Sequence, residues 1–146
     1  ASGHGRGCIL RCASRFCAEM SHLATLALVV DEYDRAIAWY QRCMRFKLVD
    51  DVPMGNKRWV VMEPRNGGVQ ILLARASNPA QTAAIGNQSG GRVWLIFETD
   101  DFAAEHAYMC AQGVIFEEEP RHEPYGIVAV FQDLYGNRCD LLQRLA

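Results

Sequence analysis

Residues 133–142 read DLYGNRCDLL, a polar turn that runs directly into an alternating segment. Gly136 marks the turn, and Arg138, Cys139, Asp140 and Leu141 then alternate polar with apolar, the period of two that sends neighbouring side chains to opposite faces of a sheet. A matching turn glycine, Gly68, lies 68 residues upstream. The acidic helix start in VVDEYDRAIAWY (29–40) repeats too, Asp31 finding its counterpart in Asp100 after 69 residues. A spacing that holds to one residue over both a helix and a sheet points to internal duplication.

Working outward from those anchors, each copy reads βαβββ. Leu23 to Val30 is strand-like, and Tyr33, Ile37, Tyr40 and Met44 then recur at helical spacing. Asp31 to Asp34 place negative charge at the positive end of that helix. FKLVDD, RWVVME and VQILLA supply three strands. In the second copy RVWLIFETDD is the strand and FAAEHAYMCAQG the helix, closed by Gly113, with VIFEEE, GIVAVFQ and RCDLLQ following. The modules fall at 20–76 and 93–146, joined by a polar, glycine-rich linker over 77–92. Residues 1–19 differ in composition, carry Cys8, Cys12 and Cys17 without period, and read as a leader or an extension upstream of the natural start.

Bulk composition narrows the partners. A net charge of -2 gives no electrostatic reason to expect nucleic acid or anionic membrane. The apolar runs Leu26 to Val30 and Val93 to Phe97 fall far short of the roughly 20 residues that cross a bilayer. None of the cysteines is paired at C-x-x-C spacing, so free thiols in a reducing cytoplasm are expected.

The paired modules, the VVDEYDRAIAWY helix start and the D-x-x-G-N turn resemble the vicinal oxygen chelate superfamily, which holds glyoxalases, extradiol dioxygenases and bleomycin resistance proteins. KRWVV, LLARAS, IGNQSGGRV and YGIVAVFQDLYGN are similar to one bacterial branch of it. The resemblance implies an α+β fold in which two βαβββ modules form a curved mixed-sheet cup with helices outside. It also implies a homodimer. In metal-dependent members each module gives one ligand from its first strand and one from its last. Those positions read Thr25 and Leu72 in the first module, Trp94 and Asp140 in the second.

Only Asp140 among them is a convincing ligand, so no cofactor is expected, and Glu98 with Asp140 would make at most a weak, oxygen-rich divalent-metal site. Strand alternation adds Gln70 and Glu98 to the cup face. His122, in the PRHEPYG loop, is within reach of the cup mouth, and Trp59, Tyr125 and Phe131 are candidate aromatic lining. Trp94 offers either core filling or a flat face for an aromatic or cationic ligand. Two carboxylates in a partly apolar cup repel and raise at least one pKa, which suits a cation or a proton-transfer role. These residues point to a metal-independent small-molecule binder with an acidic, aromatic cup for a cationic or planar ligand. The alternative is a lyase, isomerase or dioxygenase using Glu98 and Asp140 as base or metal ligands.

Overall fold

A computed structural model of the protein describes residues 20–146; the leader expected over 1–19, with its three cysteines, lies outside the described residues. The first helix, α1 (Tyr33–Met44), begins where the Glu32 carboxylate accepts the Arg35 backbone N–H at 3.0 Å. It follows β1 (Thr25–Val30) and leads into β2 (Lys47–Met54), β3 (Lys57–Glu63) and β4 (Gln70–Arg75). In the second module β5 (Leu95–Glu98) precedes α3 (Phe102–Ala111), capped by Asp101 on the Ala104 N–H at 3.0 Å. Glu32 and Asp101 stand 69 residues apart, so the repeat extends to the capping groups. Helix α3 stops at Gly113, whose φ of 86° is the left-handed geometry a side chain resists. There the Val114 N–H reaches back to the Met109 carbonyl at 3.0 Å.

The strands form two mixed sheets, one per module. The first runs β1-β4-β3-β2. The second is built on β5-β9-β8-β6, where β6 is Ile115–Phe116, β8 Gly126–Gln132 and β9 Arg138–Arg144. Each sheet joins its first and last strands in parallel, and Ala27 opposite Leu72 in one corresponds to Ile96 opposite Asp140 in the other. Two elements depart from the simple βαβββ reading. The segment 77–92 contains a short helix, α2 (Pro79–Ala84), started by Asn78 accepting the Gln81 N–H at 2.8 Å with proline in its first turn. A short strand, β7 (Arg121–Glu123), also pairs with β8.

The helices cover one face of each sheet, and the core lies between. Leu28, Val30, Ile71, Leu73, Val60 and Met62 bury against α1, while Cys139, Leu141, Ala129 and Phe131 face inward from the second sheet. A run of rings, Tyr40, Phe46, Phe97, Phe131 and Phe116, passes from α1 into the second module with centroids 5.5–6.3 Å apart. The modules therefore share one core. Among the described residues no helix is long and apolar enough to cross a membrane.

Candidate functional site

The turn between β8 and β9 positions the site without belonging to it. Asp133 and Asn137 are 6% and 2% exposed, the buried polar side chains of the described core. Asp133 Oδ1 accepts the backbone N–H groups of Tyr135 and Asn137, each at 2.9 Å. Its Oδ2 accepts Asn137 Nδ2 at 2.9 Å and the Tyr40 hydroxyl at 3.0 Å. Burial first, and the adjacent Asp133 carboxylate second, push the Tyr40 phenol well above its usual range, so it remains a donor. Asn137 Oδ1 accepts the Gln88 N–H at 3.1 Å, and Gln88 Oε1 in turn accepts the Val29 N–H on the free edge of β1 at 3.0 Å. One hydrogen-bonded chain thus ties α1, the linker and both sheets, and fixes where β9 begins.

From that fixed start, alternation sends Cys139 and Leu141 to the core and Asp140 to the face away from the helices. Cys139 is an inert buried thiol, pushed up to about 12 chiefly by burial. Asp140 is half-buried, and its Oδ1 is enclosed with no hydrogen-bond partner among the described residues. Burial raises its pKa; Arg121 and Arg138 pull it down, and Glu118 pushes it up again. Neither arginine is free to pair with it. Arg121 holds Glu118 at 3.0 Å and also bonds Glu123, while Arg138 holds Glu117 at 2.9 Å.

Several expected site residues sit elsewhere. Phe131 is a correction: it stands opposite Cys139, is 1% exposed, and belongs to the ring run of the core rather than to the open face. His122 is likewise a correction. It pairs with Ile127, on the face opposite Asp140, whereas its neighbours Arg121 and Glu123 take the open side. Glu98 shares the face of Asp140, but it is an exposed rim carboxylate paired to Arg144 at 2.7 Å. The carboxylate felt by Asp140 is Glu118, whose Oε1 accepts the Val130 N–H at 3.0 Å. For Glu118, burial is outweighed by the Arg121 and Val130 donors, which hold its pKa low. Nothing in the acidic run 117–119 marks Glu118 as a sheet partner of a residue 12 positions on.

Thr25, Gln70, Leu72 and Trp59 lie on the open face of the first sheet. Thr25 is exposed, Gln70 and Leu72 are half-buried, and Trp59 presents a ring that is 43% exposed. A cavity of about 580 Å³ lies where the end of β4 and the start of β3 diverge, with Leu72, Trp59 and Met54 of the open face and Tyr33 of α1 in its walls. Its lining comes from the first module and the adjoining α2 segment. Trp94, just before β5, is half-buried and packs against the core, so of the two tryptophans Trp59 is the one exposed on an open sheet face. Tyr125 sits at the tip of the β7–β8 hairpin, 49% exposed, its carbonyl accepting the Leu145 N–H at 3.0 Å.

The residues present do not fit the divalent metal that many such folds hold. The four positions that the resemblance assigns to ligands carry Thr25, Leu72, Trp94 and Asp140, and no three His, Cys, Asp or Glu side chains converge among the described residues.

Two duplicated βαβββ modules with paired first and last strands define the class of protein to which comparison then gives a family. The model described as Glyoxalase/Bleomycin resistance protein/Dioxygenase superfamily matches residues 20–141, and the chain belongs to that superfamily. Over 121 residues it is 50% identical to an uncharacterized protein of Shewanella frigidimarina (strain NCIMB 400), spanning 81% of this chain and 90% of that one. TnmS3, an antibiotic binding protein from Streptomyces sp. CB03234, is similar with a TM-score of 0.71 and 26% identity, spanning 87% of this chain and 98% of its own. The crystal structure of UcmS2 matches in fold with a TM-score of 0.74 at 23% identity, over 84% of this chain and 98% of that one.

Proposed function

We propose that this chain is a metal-independent small-molecule binding protein whose open sheet faces receive a planar ligand bearing a cation or another strong hydrogen-bond donor. The observation that carries this reading is Asp140: a half-buried carboxylate on the open face whose enclosed Oδ1 has no hydrogen-bond partner among the described residues, beside arginines already committed to other acids. Such an oxygen is costly to leave unsatisfied, and a ligand donor removes that cost. The likeness to TnmS3, an antibiotic binding protein, supports the same reading. A homodimer belongs to it as well. Val52, Met54, Trp59 and Ile96 leave apolar surface exposed on the two sheet faces, and a second copy would cover them while closing the site.

The raised pKa of Asp140 favours one further use of the same group, proton transfer, as in a lyase or isomerase. Calorimetric titration with a planar aromatic cation such as proflavine tests the binder. Asp140→Asn keeps the shape and should weaken binding roughly 10- to 100-fold, the worth of a charge-assisted hydrogen bond. Equal affinity in parent and variant would remove the proposal. Elemental analysis of the purified protein is expected to find no stoichiometric transition metal, and one tightly held iron, nickel or zinc per chain would transfer the argument to the enzyme.

A further inference from the structure

The cavity in the first module has a charge opposite to that of the face around Asp140. Its walls include Lys57, Arg58 and Arg75 and not one Asp or Glu. In a chain with 17 acidic and 15 basic residues, that is a local excess of positive charge against the net sign. Arg58 is neutralised: it holds Asp51 at 2.7 Å and Asp34 at 2.9 Å. Lys57 and Arg75 are not. Among the described residues neither has a carboxylate within ion-pair distance.

Arg75 is nonetheless held in place. One guanidinium nitrogen donates to the Asn56 carbonyl in the turn between β2 and β3, and the guanidinium stands 5.4 Å from the centre of the Tyr33 ring. Arg58 stands over the same ring at 5.1 Å. One arginine is therefore spent on structure, and the other reaches the same cavity with donors left over. The same cavity is lined by Lys57, Met54 and Trp59 from the open face of the sheet, Trp59 43% and Met54 47% exposed, surfaces on which a flat apolar body packs.

We infer that this cavity binds an anionic group carried on a planar aromatic compound, with Arg75 and Lys57 recognising the anion and Trp59 the ring. The inference rests on the small-molecule reading above and narrows its ligand class. It assigns the anion to the first module and leaves Asp140 to the donor-bearing end of a ligand.

Three probes of one size separate the possibilities: 2-naphthoate, 2-naphthalenemethanol and 2-naphthylmethylammonium, titrated calorimetrically into the full chain. Arg75→Gln and Lys57→Gln should each weaken naphthoate about 3- to 10-fold, because the site is open to solvent. Both should leave the alcohol and the ammonium within about twofold, and naphthoate binding should fall with added salt. Asp140→Asn should leave naphthoate unchanged. If the alcohol and ammonium bind while naphthoate ignores both substitutions, the anion site is wrong and the binder stands. If none of the three binds, both fall. Unchanged melting temperatures confirm that the variants are folded.

Discussion

Asp140→Asn should make the protein more stable at neutral pH while weakening its ligand. The native structure raises the Asp140 pKa, mainly by burial, so folding disfavours the ionised form. The sign follows from linkage. A carboxyl raised in the native state contributes its full stability below the unfolded value near 3.9, and that contribution is lost as pH climbs through the higher native value. At pH 7 the ionised group is therefore a liability that asparagine removes. An enclosed polar group without a partner costs about 1–3 kcal/mol. The gain is smaller than that range implies at its upper end, because Asp140 is only half-buried, solvent screens it, and the attraction of Arg121 and Arg138 is lost with the charge. Roughly 1 kcal/mol remains, or about 3–5 °C in melting temperature for a domain of this size. Calorimetric melts of parent and variant from pH 4 to 8 measure it. The difference should be near zero at pH 4 and widen upward. A variant less stable at pH 7, or a difference independent of pH, would refute the reasoning.

Other substitutions separate structural from site carboxylates. Asp133→Ala strands Tyr40 Oη, Asn137 Nδ2 and two backbone N–H groups, and should cost about 3–5 kcal/mol in chemical denaturation. Glu98→Gln removes an exposed ion pair with Arg144 and should change stability by under about 1 kcal/mol and cation affinity by less than Asp140→Asn does. Gln88→Ala frees the β1 edge, where its side chain bonds both Val29 N–H and the Ala27 carbonyl, and should cost about 1–2 kcal/mol. Slower amide exchange at Val29 in that variant than in the parent would contradict the edge role. Trp59→Ala should leave stability within about 0.5 kcal/mol, since the ring is largely outside the core, yet weaken every naphthyl probe.

Legibility in the sequence followed the contrast between neighbouring side chains. Around Asp140 polar and apolar residues alternate, so the face of each was readable, including the inward turn of Cys139. In GIVAVFQ both faces are apolar, because Val128 and Val130 line the open side while Ala129 and Phe131 fill the core. A period of two then carries no sign, and only the pairing of Phe131 with Cys139 settles it. His122 failed for the same reason: its face is decided by its partner Ile127. The cationic cavity was illegible on other grounds. Lys57 opens β3 and Arg75 closes β4, so they line one cavity only because those strands run antiparallel.

Asp133 and Asp140 make the physical argument in miniature, as carboxylates seven residues apart on either side of one turn. Asp133 accepts four hydrogen bonds in the core, which compensates the loss of water and fixes the start of β9. That fixed start determines the parity of everything downstream, so it also determines that Asp140 faces outward. Asp140 then sits among charges already paired with one another, with one oxygen enclosed and without a partner among the described residues. A chain selected for stability alone would place a neutral side chain there. In the proposed binder, a rigid turn that holds an unsatisfied acceptor in one position supplies preorganisation, because much of the desolvation of that carboxylate is complete before a ligand donor arrives.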